Sequence, residues 1–367
     1  MTVSVIVVGF GDEPLLKDCL QSIVDQIGVG DEVVLVDHGI TELPDVGGVC
    51  IVTPPENSGF GGGCAVGVDA SRGDVLVFVN SDATLRPGAI SALEAAVGDL
   101  NVGLAGGLVL LPGEPEVVNS AGLPVHLTGL SWCDGYGEPV APRHLRSRRL
   151  ASVAGALFAC RRETWQLLGG MDTSYFMYHE DTDLSLRCHL AGLDVILCPT
   201  AVAVHAYEFS RNADKMFYLE RNRLLTVLGD YPSHLLLRAL PVILLFEPLY
   251  LAVAVRQKWA AQKLRAWWWL ARRARHVIDR RRRVQANALN PHALDLLLTP
   301  SITQSQLSPP AGASVLNLAV AAYWRLLRPP THPVAGEESQ HGVSRHRLSG
   351  PECSHVRSLS ANGTSAR

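Results

Sequence analysis

Short strands that are apolar on both faces alternate with helix-period segments from residue 3 to about 110, predicting an α/β fold with a mostly parallel sheet flanked by helices. Two of these strands end in acids, at Asp37 and Asp82, and a further acid cluster opens a helix at Glu180. Ligands of open α/β sheets collect at the carboxyl ends of the strands, so the chemistry is expected there. The chain has 367 residues, 47% apolar and 18% charged, which is ample material for a buried core. Wholly disordered, collagen-like and disulfide-scaffold classes are excluded. The formal net charge of -3 argues against nucleic acid as a partner of the whole chain.

Taken in order, Val3–Val8 is a continuous apolar strand, not a signal peptide, since no basic segment precedes it. Leu15, Cys19, Leu20, Ile23 and Val24 share one helical face, and Val33–Val36 is a second strand ending at Asp37. Asp74–Val79 is a third, ending at Asn80-Ser81-Asp82, with a helix started by Pro87 behind it. Residues 112–150 have no sustained period and many Gly, Pro and Arg residues, which reads as a long active-site loop or insertion. Regular structure resumes with a strand at 152–160 and a helix at 162–168, then a helix at 181–191, a strand end at 202–205 and a helix at 212–228. The eight cysteines form no CxxC pair, and most lie in apolar runs, as expected in a reducing compartment.

The remainder differs in kind. Residues 235–255 are strongly apolar but contain Arg238, Glu247, Pro241 and Pro248. A charge at a bilayer centre costs roughly 2.5–3.5 kcal/mol on insertion scales, which disfavours a simple span. From 256 to 283 there are eleven Lys and Arg against one acid, Asp279, interleaved with Trp259 and Trp267–Trp269. That mixture suits a segment lying in the interface of an anionic membrane; a solvated helical hairpin with a buried seam is the plainer alternative. We therefore divide the chain into a catalytic domain at 1–230 expected to fold by itself, a membrane-associated helical segment at 231–290, a mixed helical extension at 291–328 and a disordered tail at 329–367.

Three clusters could carry chemistry. Asn80-Ser81-Asp82 could hold a hard divalent cation through carboxylate oxygen, although most such tripeptides are simply turns. In Glu180-Asp181-Thr182-Asp183 the acids could merely complement a helix dipole, but a helix start is also a rigid mount for a general base. His205 ends an apolar strand and matters only if it meets Asp82 in space, where imidazole could complete a manganese or magnesium site. The glycine-rich stretch Asn57–Gly67 fits neither a dinucleotide nor a P-loop register, though its glycines would allow close backbone approach to a nucleotide.

The order of these motifs, with Gly155, Arg161-Arg162, Gly170-Met171-Asp172, Phe176-Met177-Tyr178, Arg187 and Arg221-Asn222, resembles the family 2 glycosyltransferases of the GT-A fold. The likeness is strongest to the bacterial rhamnosyltransferase-like branch and covers roughly residues 3–230. It implies a nucleotide-sugar donor, either dTDP-rhamnose or a UDP-sugar, bound through Asp37, Asn57, Gly59, Phe60, Asn80 and Asp82. It further implies Mn2+ or Mg2+ held by Asp82 and His205, Asp181 as catalytic base and Glu180 positioning the acceptor. The acceptor would be a cell-envelope or lipid-linked glycan at the cytoplasmic face of the membrane. Departures include Asn80-Ser81-Asp82 where relatives carry DxD or NPD, and Ala65 where they carry a second asparagine. Two other readings are a non-catalytic scaffold and a sugar-nucleotide pyrophosphorylase. The second wants a basic phosphate loop after the first strand, where this chain has the acidic Gly9–Pro14.

Overall fold

The computed structural model describes residues 1–206, 214–303 and 313–327. The first part runs β1 (Val3–Gly11), α1 (Leu16–Val24), β2 (Glu32–Ile40), β3 (Val49–Val52), α2 (Gly59–Asp69), β4 (Val75–Asn80), β5 (Ala83–Leu85), α3 (Ala89–Val97) and β6 (Val102–Leu110). There follow β7 (Val118–Ser120), β8 (Arg148–Arg149), β9 (Leu157–Arg161), α4 (Arg162–Leu168), α5 (Glu180–Leu190), β10 (Asp194–His205) and α6 (Lys215–Asp230). The C-terminal helices are α7 (Ser233–Arg256), α8 (Ala260–Arg272), α9 (Ala274–Ala286) and α10 (Ala313–Leu327).

The main sheet has the order β3-β2-β1-β4-β9-β6-β10-β5. The β3-β2-β1-β4 wing is parallel, as its two-sided apolar strands require. Beyond it β9 runs antiparallel between β4 and β6, so the sheet is mixed. Alternate residues face opposite layers: Val5, Val7, Val77 and Val79 pack on α1 and α3, whereas Ile6, Leu76 and Phe78 pack on α2 and α5.

Two segments differ from what their sequences suggest. Residues 112–150 are an ordered insertion with more structure than their sequence shows: β7 pairs with β6, β8 pairs with β10, and Leu123, Val125 and Leu127 are buried. Isolated bridges such as Leu123 to Ser152 hold this insertion, and these leave no period in the sequence. The glycine-rich stretch is helical. Gly63 abuts Val8 and His38, and a Cβ at Gly67 would lie 2.5 Å from Ile6, so the glycines let α2 press against the sheet.

Met1–Leu327 forms one compact unit, with α6 packed on α8 and α9, so the boundary at 230 divides sequence patterns but not packing. The expected tail, 329–367, lies outside the described residues.

Candidate active site

The carboxyl ends of β4 and β10 meet. His205 Nε2 lies 2.9 Å from Asp82 Oδ1, and the Asn80 side-chain nitrogen is 3.4 Å from the same imidazole nitrogen. The antiparallel β10–β5 pairing, which sets His205 opposite Ala83, fixes this encounter. One oxygen and one imidazole donor at that spacing suit manganese or magnesium: cis ligands of an octahedral ion bound at about 2.1 Å are about 3.0 Å apart.

The second half of the site is the start of α5. Asp181 Oδ2 accepts from the Gly155 backbone N–H at 2.9 Å, and Oδ1 accepts from the Thr182 N–H at 2.6 Å. Burial raises the Asp181 carboxyl pKa, and these donors work against the rise. Glu180 beside it is pushed up to about 8, by burial first and then by the charge of Asp181. Its Oε2 is buried with no hydrogen-bond partner among the described residues. Neither carboxylate is within ion-pair distance of a cation among the described residues. Asp183, two residues on, is fully buried between Arg187 and Arg280.

Residues 155 and 156 join the two halves. Gly155 N–H donates to Asp181, while the Ala156 carbonyl accepts from the Asn80 N–H at 3.1 Å. A Cβ at Gly155 would meet Asp181 at 3.4 Å and the Phe60 ring at 3.6 Å, which places Phe60 beside Asp181. Asn57 Oδ1 accepts from the Gly59 N–H at 2.8 Å. Gly59 has φ +76°, and any Cβ there would sit 1.9 Å from the Phe176 carbonyl oxygen, so only glycine fits. Asp37 lies further along the strand ends: its Oδ1 closes the turn by accepting from Gly39 and Ile40, and Oδ2 has a 3.4 Å contact from Thr53. Asn57, Gly59, Phe60, Glu180 and Asp181 thus form one group and Asn80, Asp82 and His205 a second, with Asp37 in a separate turn at the end of β2.

Three contributors had no usable sequence signal. Ser131 approaches Thr182 at 3.5 Å, and the Cys133 thiol, pushed up to about 11 by burial, feels the charges of Asp181 and Lys215. Lys215 is buried 5.3 Å over the Tyr178 ring, and burial brings its pKa down to about 8. A separate cluster of His234, His292 and Asp295 gathers within 4.8 Å. Arg238 donates to Asp295 at 3.2 Å and takes up its charge, leaving a poor cation site.

The mixed sheet, with Asp82 and His205 gathered at its strand ends and the acids of α5 beside it, has the GT-A architecture. The solved structure of GalNAc-T7 with UDP, GalNAc and Mn2+ superposes with a TM-score of 0.51 at 17% identity, covering 63% of this chain and 48% of that one. The family model described as "Glycosyltransferase like family 2" matches residues 2–225, and the chain belongs to that family of enzymes. Among curated relatives, the O-antigen biosynthesis protein RfbC of Myxococcus xanthus is 30% identical over 151 residues, 39% of this chain and 12% of that protein. The N-acetylglucosaminyl-diphospho-decaprenol L-rhamnosyltransferase of Mycobacterium tuberculosis is 28% identical over 160 residues, 40% of this chain and 51% of that protein. The matched region spans about half the length of the second relative and far less of the first.

Proposed function

We propose that the protein is a metal-dependent, inverting transferase that moves a sugar from dTDP-rhamnose or a UDP-sugar to a cell-envelope or lipid-linked glycan. The observation that carries this is the pair Glu180, buried, and Asp181, half-buried, neither with a cationic partner among the described residues and both linked through residues 155–156 to Asn80, beside Asp82 and His205. Carboxylates serving only to stabilise a helix would be paired or solvated.

Asp181 takes the proton of the acceptor hydroxyl, and that oxygen attacks the anomeric carbon. The bond from that carbon to the diphosphate oxygen breaks on the opposite face, and the electron pair leaves with the nucleoside diphosphate. One displacement inverts the carbon. Asp82 and His205 would hold Mn2+ or Mg2+, which when bound offsets charge on the departing diphosphate. Asp37, Asn57, Gly59, Phe60 and Asn80 line the donor side, and Glu180 orients the acceptor.

We place the protein at the cytoplasmic face of a membrane; membrane association itself is supported by α7, which is long and apolar enough to cross a bilayer by length and composition. The two charges within its apolar run turn inward: Glu247 pairs with Arg223 at 2.5 Å and Lys263 at 2.9 Å, and Arg238 pairs with Asp295. Leu237, Leu240, Leu244, Leu245, Leu249 and Val253 are exposed along it. Arg256, Lys258, Arg265 and Arg272 add exposed positive charge nearby, the pattern of a helix lying on anionic lipid.

The test is nucleoside diphosphate release from a panel of UDP-, dTDP- and GDP-sugars, with manganese, magnesium or EDTA and membrane extract as acceptor source. Release from one donor, abolished by EDTA and by Asp82→Ala, is expected. Release unaffected by both would remove the metal assignment, and no nucleotide binding by any variant would favour a scaffold.

A further inference from the structure

The backbone leading into α5 is unusual. Phe176, Tyr178 and His179 have φ of 63°, 67° and 69°, three residues with side chains in the left-handed region within four positions. His179 is the residue from which Glu180 and Asp181 start the helix. Such a conformation persists only where the surroundings over-determine it.

The surroundings are two neighbouring residues of α6. The Asn222 side-chain NH2 donates to the carbonyls of Tyr175 at 3.0 Å, Met177 at 2.8 Å and Tyr178 at 2.7 Å. Arg221 Nη2 donates to the carbonyls of Ser174 at 2.9 Å and Tyr175 at 2.6 Å. Its Nε donates to Asn222 Oδ1 at 2.8 Å, which fixes the direction of the amide. Four carbonyls of a five-residue segment are therefore held by one dipeptide, both members buried. The Arg221 guanidinium lies within 5.4 Å of the Phe217, Tyr218 and Trp269 ring centroids, so its rotamer is confined as well. On the far side Gly59 presses on the Phe176 carbonyl.

We propose that Arg221 and Asn222 are positioning residues for sugar transfer, holding residues 174–178 in the conformation that sets the Asp181 and Glu180 carboxylates into the cleft. This rests on the transferase reading above. A shift of about 1 Å in a reacting group costs on the order of 10²-fold in rate. The pair Asp82 and His205 stands at the ends of β4 and β10 and has no contact with the latch among the described residues, so the diphosphate end of the donor is held independently of it.

The experiment compares full-length wild type with Asn222→Ala and Asn222→Asp. Steady-state transfer, donor-nucleotide binding and amide hydrogen exchange are measured on each. Asn222→Asp keeps the volume but turns an acceptor toward three carbonyls. The expected result is kcat lower by about 10²-fold per folded molecule, donor affinity within about threefold, and faster exchange confined to residues 176–183. The acid limb of the kcat profile should move to lower pH, because a loosened loop hydrates Asp181. Should these variants fail to fold, Arg221→Lys keeps the charge but loses the fork to two carbonyls, and about a tenfold loss of kcat is expected. Unchanged kcat per folded molecule, or donor affinity falling in step with kcat, would overturn the proposal. A wild type silent with every donor would sink the substrate reading alone. Exchange would then decide the latch, upheld by a local increase at 176–183 and refuted by a uniform one.

Discussion

The first turn of α5 presents two chemically similar acidic faces with opposite fates. Asp183 lies between Arg187, 2.5 Å away, and Arg280, which also contacts Asp172 at 2.9 Å and Asp230 at 2.8 Å. Glu180 and Asp181 have only backbone and hydroxyl partners and no cation among the described residues. Glu180 is nearly as buried as Asp183, 6% against 0% exposed, while Asp181 is half-buried. Burial therefore does not separate Glu180 from Asp183; charge compensation does. A paired acid is structural, whereas an uncompensated buried acid costs stability and points to chemistry. The prediction with the largest effect is that Asp181→Asn lowers transfer on the order of 10³-fold without lowering thermal stability or donor binding. If nucleotide titration shows donor affinity lost in that variant, the comparison breaks, because Asp181 would then belong to the donor side.

The arginine face should respond in the opposite way. Arg280→Met leaves Asp183 and Asp230 buried together, with Arg187 as the remaining guanidinium beside Asp183. Removing one partner of a buried ion pair costs about 3–5 kcal/mol. A large fall in the denaturation midpoint is expected, with kcat per folded molecule nearly kept. Equal loss of activity and stability would mean that the two faces are not separable. Since Arg280 lies on α9, a fragment ending at 230 would lose this clamp together with Lys263, which contacts Glu220 and Glu247.

Glu180 allows a sharper test by pH. Its folded pKa of about 8 lies above the 4.5 of an ordinary glutamate, so the native state binds more protons than the unfolded chain between those values. Stability is then fully present below about pH 4.5 and is lost as pH rises through about 8. Glu180→Gln should remove that slope and be the more stable protein at pH 9, by a few kcal/mol at most. Parallel stability curves for the two proteins from pH 5 to 9 would show that Glu180 is solvated in solution.

Much of this was legible in the sequence for physical reasons. The strands β1, β2 and β4 announce themselves because burial on both faces demands unbroken apolar runs. Asp82 and His205 are readable as strand-end residues, but only the fold brings them together across 123 positions. The arginine clamp was not readable: Arg280 sits in a run of four arginines, and nothing local separates this buried side chain from the half-buried Arg281 and the exposed Arg282 and Arg283. The same ambiguity hid Lys263: a buried seam could be suspected in 256–283, but not which cations lie in it. Helix α2 escaped detection because glycine carries the poorest propensity after proline, about 1 kcal/mol each, and only close packing on Ile6 and Val8 explains its use. Arg221-Asn222 was visible as a pair, but its partners are backbone carbonyls, which leave no trace in a sequence.

The smallest effect belongs to the hydroxyl beside the base. Thr182 Oγ1 lies 3.3 Å from Asp181 Oδ1, and this contact helps keep the Asp181 pKa from rising further. Thr182→Val preserves shape and the backbone donor but removes the hydroxyl. The ionised form of Asp181 then loses one stabilising dipole, so its pKa should rise and the acid limb of kcat should move to higher pH by a fraction of a unit. At the plateau the loss should be a few-fold or less. A shift to lower pH would mean that the hydroxyl instead accepts from a protonated Asp181, and the assignment of proton acceptor would pass from Asp181 to Glu180.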